Sequence, residues 1–181
     1  MLTSDLIKYC NHCGHKIVIT VPEGDNRERH VCRSCGEIQY QNPKVVTGCV
    51  PYWGDRILLC KRAIEPRLGY WTVPAGFMEN METVQQGAAR ETLEEACAPV
   101  VNLRLFGIYN IPRISQVYIM FLAELEKEDG FGVGSESLEV DLFKESEIPW
   151  QDMAFRVVET TLRRYLEQRN TGEFTMEVID L

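Results

Sequence analysis

The segment Gly76-FMENM-Glu82-TVQQGAA-Arg90-Glu91-Thr92-Leu93-Glu94-Glu95-Ala96-Cys97 holds the residues of this chain best suited to chemistry. Glu91 and Glu95 are four apart and Glu94 follows Glu91 by three, so on a helix the three carboxylates share one face. Like charges so placed repel, and near the C-terminal end of a helix the macrodipole disfavours them further. Something cationic should compensate. Hard divalent ions such as Mg²⁺ or Mn²⁺, which prefer oxygen ligands, would convert the cluster into a phosphate-activating site. The alternative is a solvated acidic face without a ligand.

A second constellation lies nearer the start: Cys10-Asn11-His12-Cys13-Gly14 and Cys32-Arg33-Ser34-Cys35-Gly36. Two residues between cysteines let both thiolates of a pair converge on one ion, and the glycine after each pair permits a tight turn. Cys10, Cys13, Cys32 and Cys35 thus offer four soft ligands to a structural Zn²⁺. Two local disulfides or four free thiols are the alternatives. KIVIT and RHVCR read as short strands between the turns, giving residues 1–40 the look of a zinc ribbon. A head this small buries little apolar area, so metal binding should supply much of its folding free energy. Cys49, Cys60 and Cys97 sit in apolar contexts and read as small core residues.

These groups need elements to position them. Thr83 with Gln86 three residues on is a capping box, Ala88 to Glu95 favour a helix and Pro99 ends it, which predicts a helix over 84–96. Residues 44–53 and 56–62 predict a hairpin turning at Gly54-Asp55. Phe155 to Leu166 repeats apolar residues at helical intervals and should cover a sheet. The closing EFTMEVIDL has strand character and would pair locally or across a dimer. The glycine-rich stretch 130–140 reads as a loop able to close over a ligand.

The segment from Gly76 to Cys97 resembles the Nudix hydrolase box, in which G, five residues, E, seven residues and REUxEExGU follow in order, U being aliphatic. Gly76, Glu82, Arg90, Glu91, Glu94 and Glu95 match at their offsets, whereas Thr92 replaces an aliphatic residue and Cys97 the terminal glycine. The resemblance implies an α/β/α sandwich with a mixed sheet over about 41–170, with 171–181 as a C-terminal extension. It also implies Glu91, Glu94, Glu95 and the Gly76 carbonyl as ligands of the catalytic metal, with Arg90 orienting carboxylates and Glu82 as a supporting partner or outer ligand. The order CxxCG, CxxCG, YQNPK and WTVPAGFMENMET is similar to the zinc-ribbon Nudix group related to FAD and ADP-ribose pyrophosphatases. That group implies hydrolysis of the diphosphate linkage in a nucleoside diphosphate derivative, with release of AMP, and a homodimer. A related group, the NADH pyrophosphatases, would show SQPWPFPxS after the box, where this chain has NIPRISQVYIMFLAE.

Further site residues follow from chemistry. The general base is open between Glu94 or Glu95 and a distal loop glutamate, Glu136 or Glu139, with Glu136 the preferred loop candidate. Arg62 and Arg113 are candidates for phosphate. Trp71 and Tyr118, with Phe77, Phe106 and Tyr109, are candidate walls for a ring, and each could as easily be core. Composition bounds the rest. Nineteen basic and 27 acidic residues, net charge −8, argue against broad nucleic-acid binding. No apolar run approaches membrane length and the opening MLTSDLIKYC lacks a secretory pattern, so the expected location is the cytoplasm. A zinc-ribbon protein that binds nucleotides or nucleic acid without turnover is the non-enzymatic alternative.

Overall fold

The computed structural model describes residues 7–181; residues 1–6, part of the stretch read for a targeting signal, lie outside them. The chain divides into two compact units, 1–43 and 44–181. Among the described residues no helix is long and apolar enough to cross a membrane.

In the first unit, strands β1 (Ile17–Thr20), β2 (Arg29–Cys32) and β3 (Ile38–Gln39) form an antiparallel sheet in that order. Asp25 organises the link between β1 and β2. One of its carboxylate oxygens accepts from the backbone N–H groups of Asn26 and Arg27, the other from Arg29 at 2.8 Å.

The second unit runs β4 (Lys44–Trp53), β5 (Arg56–Arg62), β6 (Trp71–Thr72), β7 (Ala75–Phe77), α1 (Val84–Ala96), β8 (Val100–Ile111), β9 (Gln116–Leu125), β10 (Ser137–Phe143), α2 (Arg156–Thr171) and β11 (Glu177–Asp180). Its sheet has the order β10-β5-β4-β9-β8-β11, with β6 beside β5 and β7 beside β4. Pairing is parallel between β4 and β9 and between β8 and β11, and antiparallel elsewhere. The sheet is therefore mixed. Alternate residues of its central strands serve opposite faces. Val50, Ile57, Leu59, Met120 and Leu122 pack with Val157, Val158, Leu162 and Leu166 of α2. Cys49 and Phe121 pack with Ala88 of α1, and Leu58 and Cys60 with its Ala96. With one helix on each face, the unit is the expected α/β/α sandwich.

β4 and β5 begin and end where the sequence places them, and α1 spans Val84–Ala96 with both hydrogen bonds of the Thr83–Gln86 capping box. α2 starts one residue later than Phe155 and continues to Thr171, closed by Gly172. The final strand pairs within its own sheet, against Gly107–Asn110 of β8.

The 130–140 stretch departs from its reading as a free loop. Strand β10 takes it over from Ser137, and the part before is tied to the end of α1: the N–H groups of Gly132 and Gly134 donate to the carbonyls of Ala96 and Glu95. Helix C-termini leave carbonyls without partners, and this loop supplies donors. The approach is so close that a Cβ on Gly134 would collide with the backbone of Glu94 and Glu95.

Cys97 is also not the core residue its neighbours suggested. It is exposed and caps α1 in the left-handed conformation, at φ 50° and ψ 25°. A left-handed Cβ costs about 1 kcal/mol that glycine would not incur. Cys97→Gly should therefore raise the melting temperature by about 2–4 °C. Calorimetry at one fixed pH checks this, and an unchanged or lower melting temperature would show that the Cys97 side chain offsets its own strain.

Candidate metal and diphosphate site

In the first unit all four ribbon cysteines are free, and their Sγ atoms lie within 4.8 Å of one another. Cys10 and Cys35 are 3.7 Å apart and Cys13 and Cys32 are 3.4 Å apart. A tetrahedral ion with Zn–S bonds of about 2.3 Å sets sulfurs about 3.8 Å apart, so the cluster has the size for zinc and is too open for disulfides. The two turns repeat one hydrogen-bond pattern. Gly14 N–H donates to the Cys10 carbonyl as Gly36 does to Cys32, and Cys10 N–H donates to His15 as Cys32 does to Glu37. The Cys32 thiol is pulled down to about 7, first by the Cys35 backbone N–H, which favours the thiolate that binds metal.

In the second unit the carboxylates are organised by Arg90. Its Nε and Nη2 hold both oxygens of Glu82 at 3.0 and 2.8 Å, and Nη1 reaches Glu91 at 2.8 Å and Glu94 at 2.9 Å. Nη2 also donates to the Phe77 carbonyl at 3.2 Å. All five guanidinium donors are thereby engaged. The bidentate bond to Arg90, with a second from the Glu79 N–H, brings the Glu82 carboxyl down to about 2.

Glu95 is treated oppositely. It is buried and has no arginine bonded to it; burial, then the nearby charge of Glu91, push its carboxyl up to about 8, against a backbone hydrogen bond from Ala75. Burial likewise raises Glu91. Strand β7 lies so close that a Cβ on Gly76 would strike the Glu91 carboxyl, so only glycine lets this backbone pass beside the acid. Among the described residues only the cysteines bring three donor atoms within 4.8 Å; Glu91, Glu94 and Glu95 are more widely spread, because Glu94 is drawn out to Arg90. The donor set still suits a hard divalent cation: all oxygen, partly buried, and under-compensated at Glu95.

Glu91, Glu94 and Glu95 line a cleft of about 910 Å³. The same cleft contains Gly76, Arg90, Arg62, Arg113, Tyr118 and Glu136. Arg62 is steadied by a 2.9 Å bond from Nε to the Pro66 carbonyl and lies over the Phe155 ring. Glu136 sits where the tied loop ends, and its charge raises both Glu91 and Glu95. Glu82 does not line the cleft and acts through Arg90.

Several expected residues lie elsewhere. Trp71 is buried in the core with its ring edge-on to Phe143 at 4.9 Å, so it is no cleft wall. Phe106 and Tyr109 are likewise fully buried. Glu139 is on β10, paired with Lys61 at 3.3 Å and outside the cleft lining. Phe77 does line it. Missed by the sequence reading were Ile111, Ile114, Phe155, Arg156 and Leu181, apolar and basic residues from segments far apart in the chain.

A family model described as NUDIX domain matches residues 42–164, and one described as Nudix N-terminal matches 8–41. The chain belongs to the Nudix hydrolase family. Among solved structures, a NUDIX hydrolase from Nitrosomonas europaea is 53% identical, covers 97% of this chain and all of that one, and superposes with a TM-score of 0.90. An ADP-ribose pyrophosphatase from Streptococcus suis, 22% identical over 76% of this chain and 99% of that one, has a TM-score of 0.62 and shares the fold. Among curated relatives, the NAD-capped RNA hydrolase NudC of Shigella flexneri is 31% identical over 78% of this chain and 53% of its own length. The present Nudix chain thus spans about half the length of the curated relatives it matches.

Glu95 makes stability depend on pH. Between the ordinary value of 4.5 and about 8, the folded chain keeps a proton that the unfolded chain has lost, so stability falls as pH rises through that window. Glu82 acts in the opposite sense and at lower pH, its contribution being lost as pH falls from 4.5 towards 2. Stripped of divalent metal, the protein should melt progressively lower from pH 5 to pH 8, and Glu95→Gln should flatten that decline. Parallel pH profiles for the two proteins in chelator would contradict the assignment.

Proposed function

We propose that this Nudix protein hydrolyses the diphosphate linkage of a nucleoside diphosphate derivative in the presence of Mg²⁺ or Mn²⁺, with ADP-ribose and FAD the favoured substrates and AMP a product. The observation that carries this reading is the lining of the cleft. Glu91, Glu94, Glu95 and Glu136 line it with Gly76 on the β7 side, and Ile111 and Leu181 line it on the β8–β11 side, with Ile114, Phe155, Arg62, Arg113 and Arg156 also in its walls. Strand register gives its length. At this end of the sheet β7 pairs with β4, β4 with β9, β9 with β8 and β8 with β11. Four strand spacings of about 4.8 Å make roughly 19 Å, room for a diphosphate with a sugar-linked group on each side.

Glu91, Glu94, Glu95 and the Gly76 carbonyl would hold the divalent ions, which when bound supply charge neutralisation at the diphosphate and a lowered pKa for attacking water. The chain's own residues do the remainder. Arg90 fixes Glu91 and Glu94 and keeps Glu82 ionised. Arg62 and Arg113 orient the phosphates. Glu136, carried by the loop tied to α1, is the candidate to take the proton from water, with Glu94 or Glu95 as the alternative. Hydrolysis adds water across the P–O–P bridge: oxygen bonds to one phosphorus and the other phosphate leaves. ADP-ribose then gives AMP and ribose 5-phosphate, and FAD gives AMP and FMN.

A second reading, NADH or NAD as substrate, is favoured by the name of the curated relatives. Against it stands the segment NIPRISQVYIMFLAE, which here forms the end of β8, a turn at Pro112–Ile114 and β9.

Chromatography of ADP-ribose, FAD, NADH and a nucleoside triphosphate, each at equal concentration with Mg²⁺ or Mn²⁺, should show AMP released fastest from ADP-ribose or FAD. Glu95→Gln should lower kcat about a hundredfold or more while the melting temperature in chelator holds or rises. Predominant NADH hydrolysis would favour the second reading, and wild-type turnover in both Glu94→Gln and Glu95→Gln would remove the metal assignment.

The ribbon cysteines support a structural zinc. Elemental analysis should find one zinc per chain, lost in Cys10→Ser/Cys32→Ser, with new protease cleavage confined to residues 7–43. Equal zinc in the variant would contradict a four-cysteine site.

A further inference from the structure

The C-terminal segment is absorbed by neither the carboxylate cluster nor the ribbon, yet it enters the cleft. β11 lies parallel to β8 with Asp180 opposite Asn110, and the next residue, Leu181, donates its N–H to the Asn110 carbonyl at 2.9 Å. Leu181 therefore stands beside Ile111, which faces Gln116 across the β8–β9 ladder. All three line the cleft. Gly76 and the glutamates lie at the opposite end, on the β7 side of β4.

The segment is held at several points. Arg164 of α2, 8% exposed, donates to the carbonyls of Phe106 and Thr175 and pairs with Glu177 at 3.2 Å. Gln168 accepts the Thr175 N–H at 2.9 Å, and Asn110 donates from its side chain to Asp180 at 2.9 Å. Buried and charge-assisted bonds of this kind fix a strand far better than ladder bonds alone. Leu181 is thus delivered to a defined place, half-buried and packed against the same core that Ile111, Tyr118 and Phe155 also meet.

We infer that Leu181 is a specificity-determining residue: it forms the far wall of the cleft and packs against the planar ring of the substrate at the end remote from the metal-binding glutamates. This rests on the diphosphate-hydrolase reading above. An aliphatic wall suits a flat heteroaromatic ring, which gains by leaving water, and gives nothing to a bare sugar phosphate. Its contribution is binding that is equal in ground and transition states, so it should act on KM and leave kcat alone.

The test compares wild type with Leu181→Ala, Leu181→Trp and the control Val178→Ala, whose side chain is on β11 but exposed and outside the cleft. Steady-state kinetics are measured on each compound of the panel that wild type hydrolyses. Leu181→Ala should raise KM about tenfold with kcat within twofold, and Leu181→Trp should change the ranking of ring sizes, while Val178→Ala behaves as wild type. If KM and ranking are unchanged in both Leu181 variants while wild type is active, the inference fails alone. If Val178→Ala reproduces the KM rise, the effect belongs to strand docking and the inference also fails. If wild type hydrolyses none of the panel, the functional reading fails and takes this inference with it.

Discussion

A guanidinium has five N–H donors in a rigid fork, and the acidic end of the Nudix unit is arranged around the fact that Arg90 uses all five within reach of its own helix. Glu91 and Glu94 would otherwise repel at the end of α1 where the macrodipole also opposes them. Arg90 answers both with one side chain, and its bidentate grip on Glu82 ties the segment preceding the helix to the helix itself. A lysine could neutralise one of these acids but could not orient three. Once Arg90 is saturated, Glu95 has only the Ala75 backbone and the more distant Arg62 to oppose its burial. Glu95 is thus the carboxylate that the chain's own cations compensate least.

That arrangement persists because the backbone around it is as constrained as the side chains. Gly76 allows β7 to pass against Glu91, and Gly134 allows the loop before β10 to donate to the last carbonyls of α1. The loop therefore cannot be displaced without uncovering helix carbonyls, and Glu136 inherits its position from that bond. An element that reads as free from its glycines is fixed by them, since their lack of a side chain is what permits the close approach.

What could be read from sequence was what is decided locally. The capping box, the β4–β5 hairpin, the cysteine turns and the spacing of Glu91, Glu94 and Glu95 are set by residues within a few positions of one another, and each lies where its neighbours dictate. Trp71, Phe106 and Tyr109 were unreadable as core because an aromatic residue has the same sequence signature whether it faces a ligand or a sheet. Cys97 misled for a related reason: alanines on both sides suggest burial, but the end of α1 puts position 97 in a left-handed cap where polarity does not matter. Leu181, Phe155 and Ile114 gave no local sign at all, because their placement depends on β11 joining β8 and on α2 starting where it does.

This division has a physical cause that bears on how such a fold is used. The acidic part of the cleft comes from one helix and the strand before it, about twenty residues whose geometry is fixed by short-range hydrogen bonds. The rest of the cleft lining gathers the β5–β6 loop, the β8–β9 turn, the start of α2 and Leu181 just after β11, brought together only by sheet order. On the proposed function, substituting Ile114 or Leu181 would change which ring fits without touching any bond made by Arg90, whereas a change at Arg90 disturbs the acids whatever lies beyond. On that reading, reaction class and substrate choice would be carried by separable sets of residues, and only the first set is contiguous enough to announce itself as a motif.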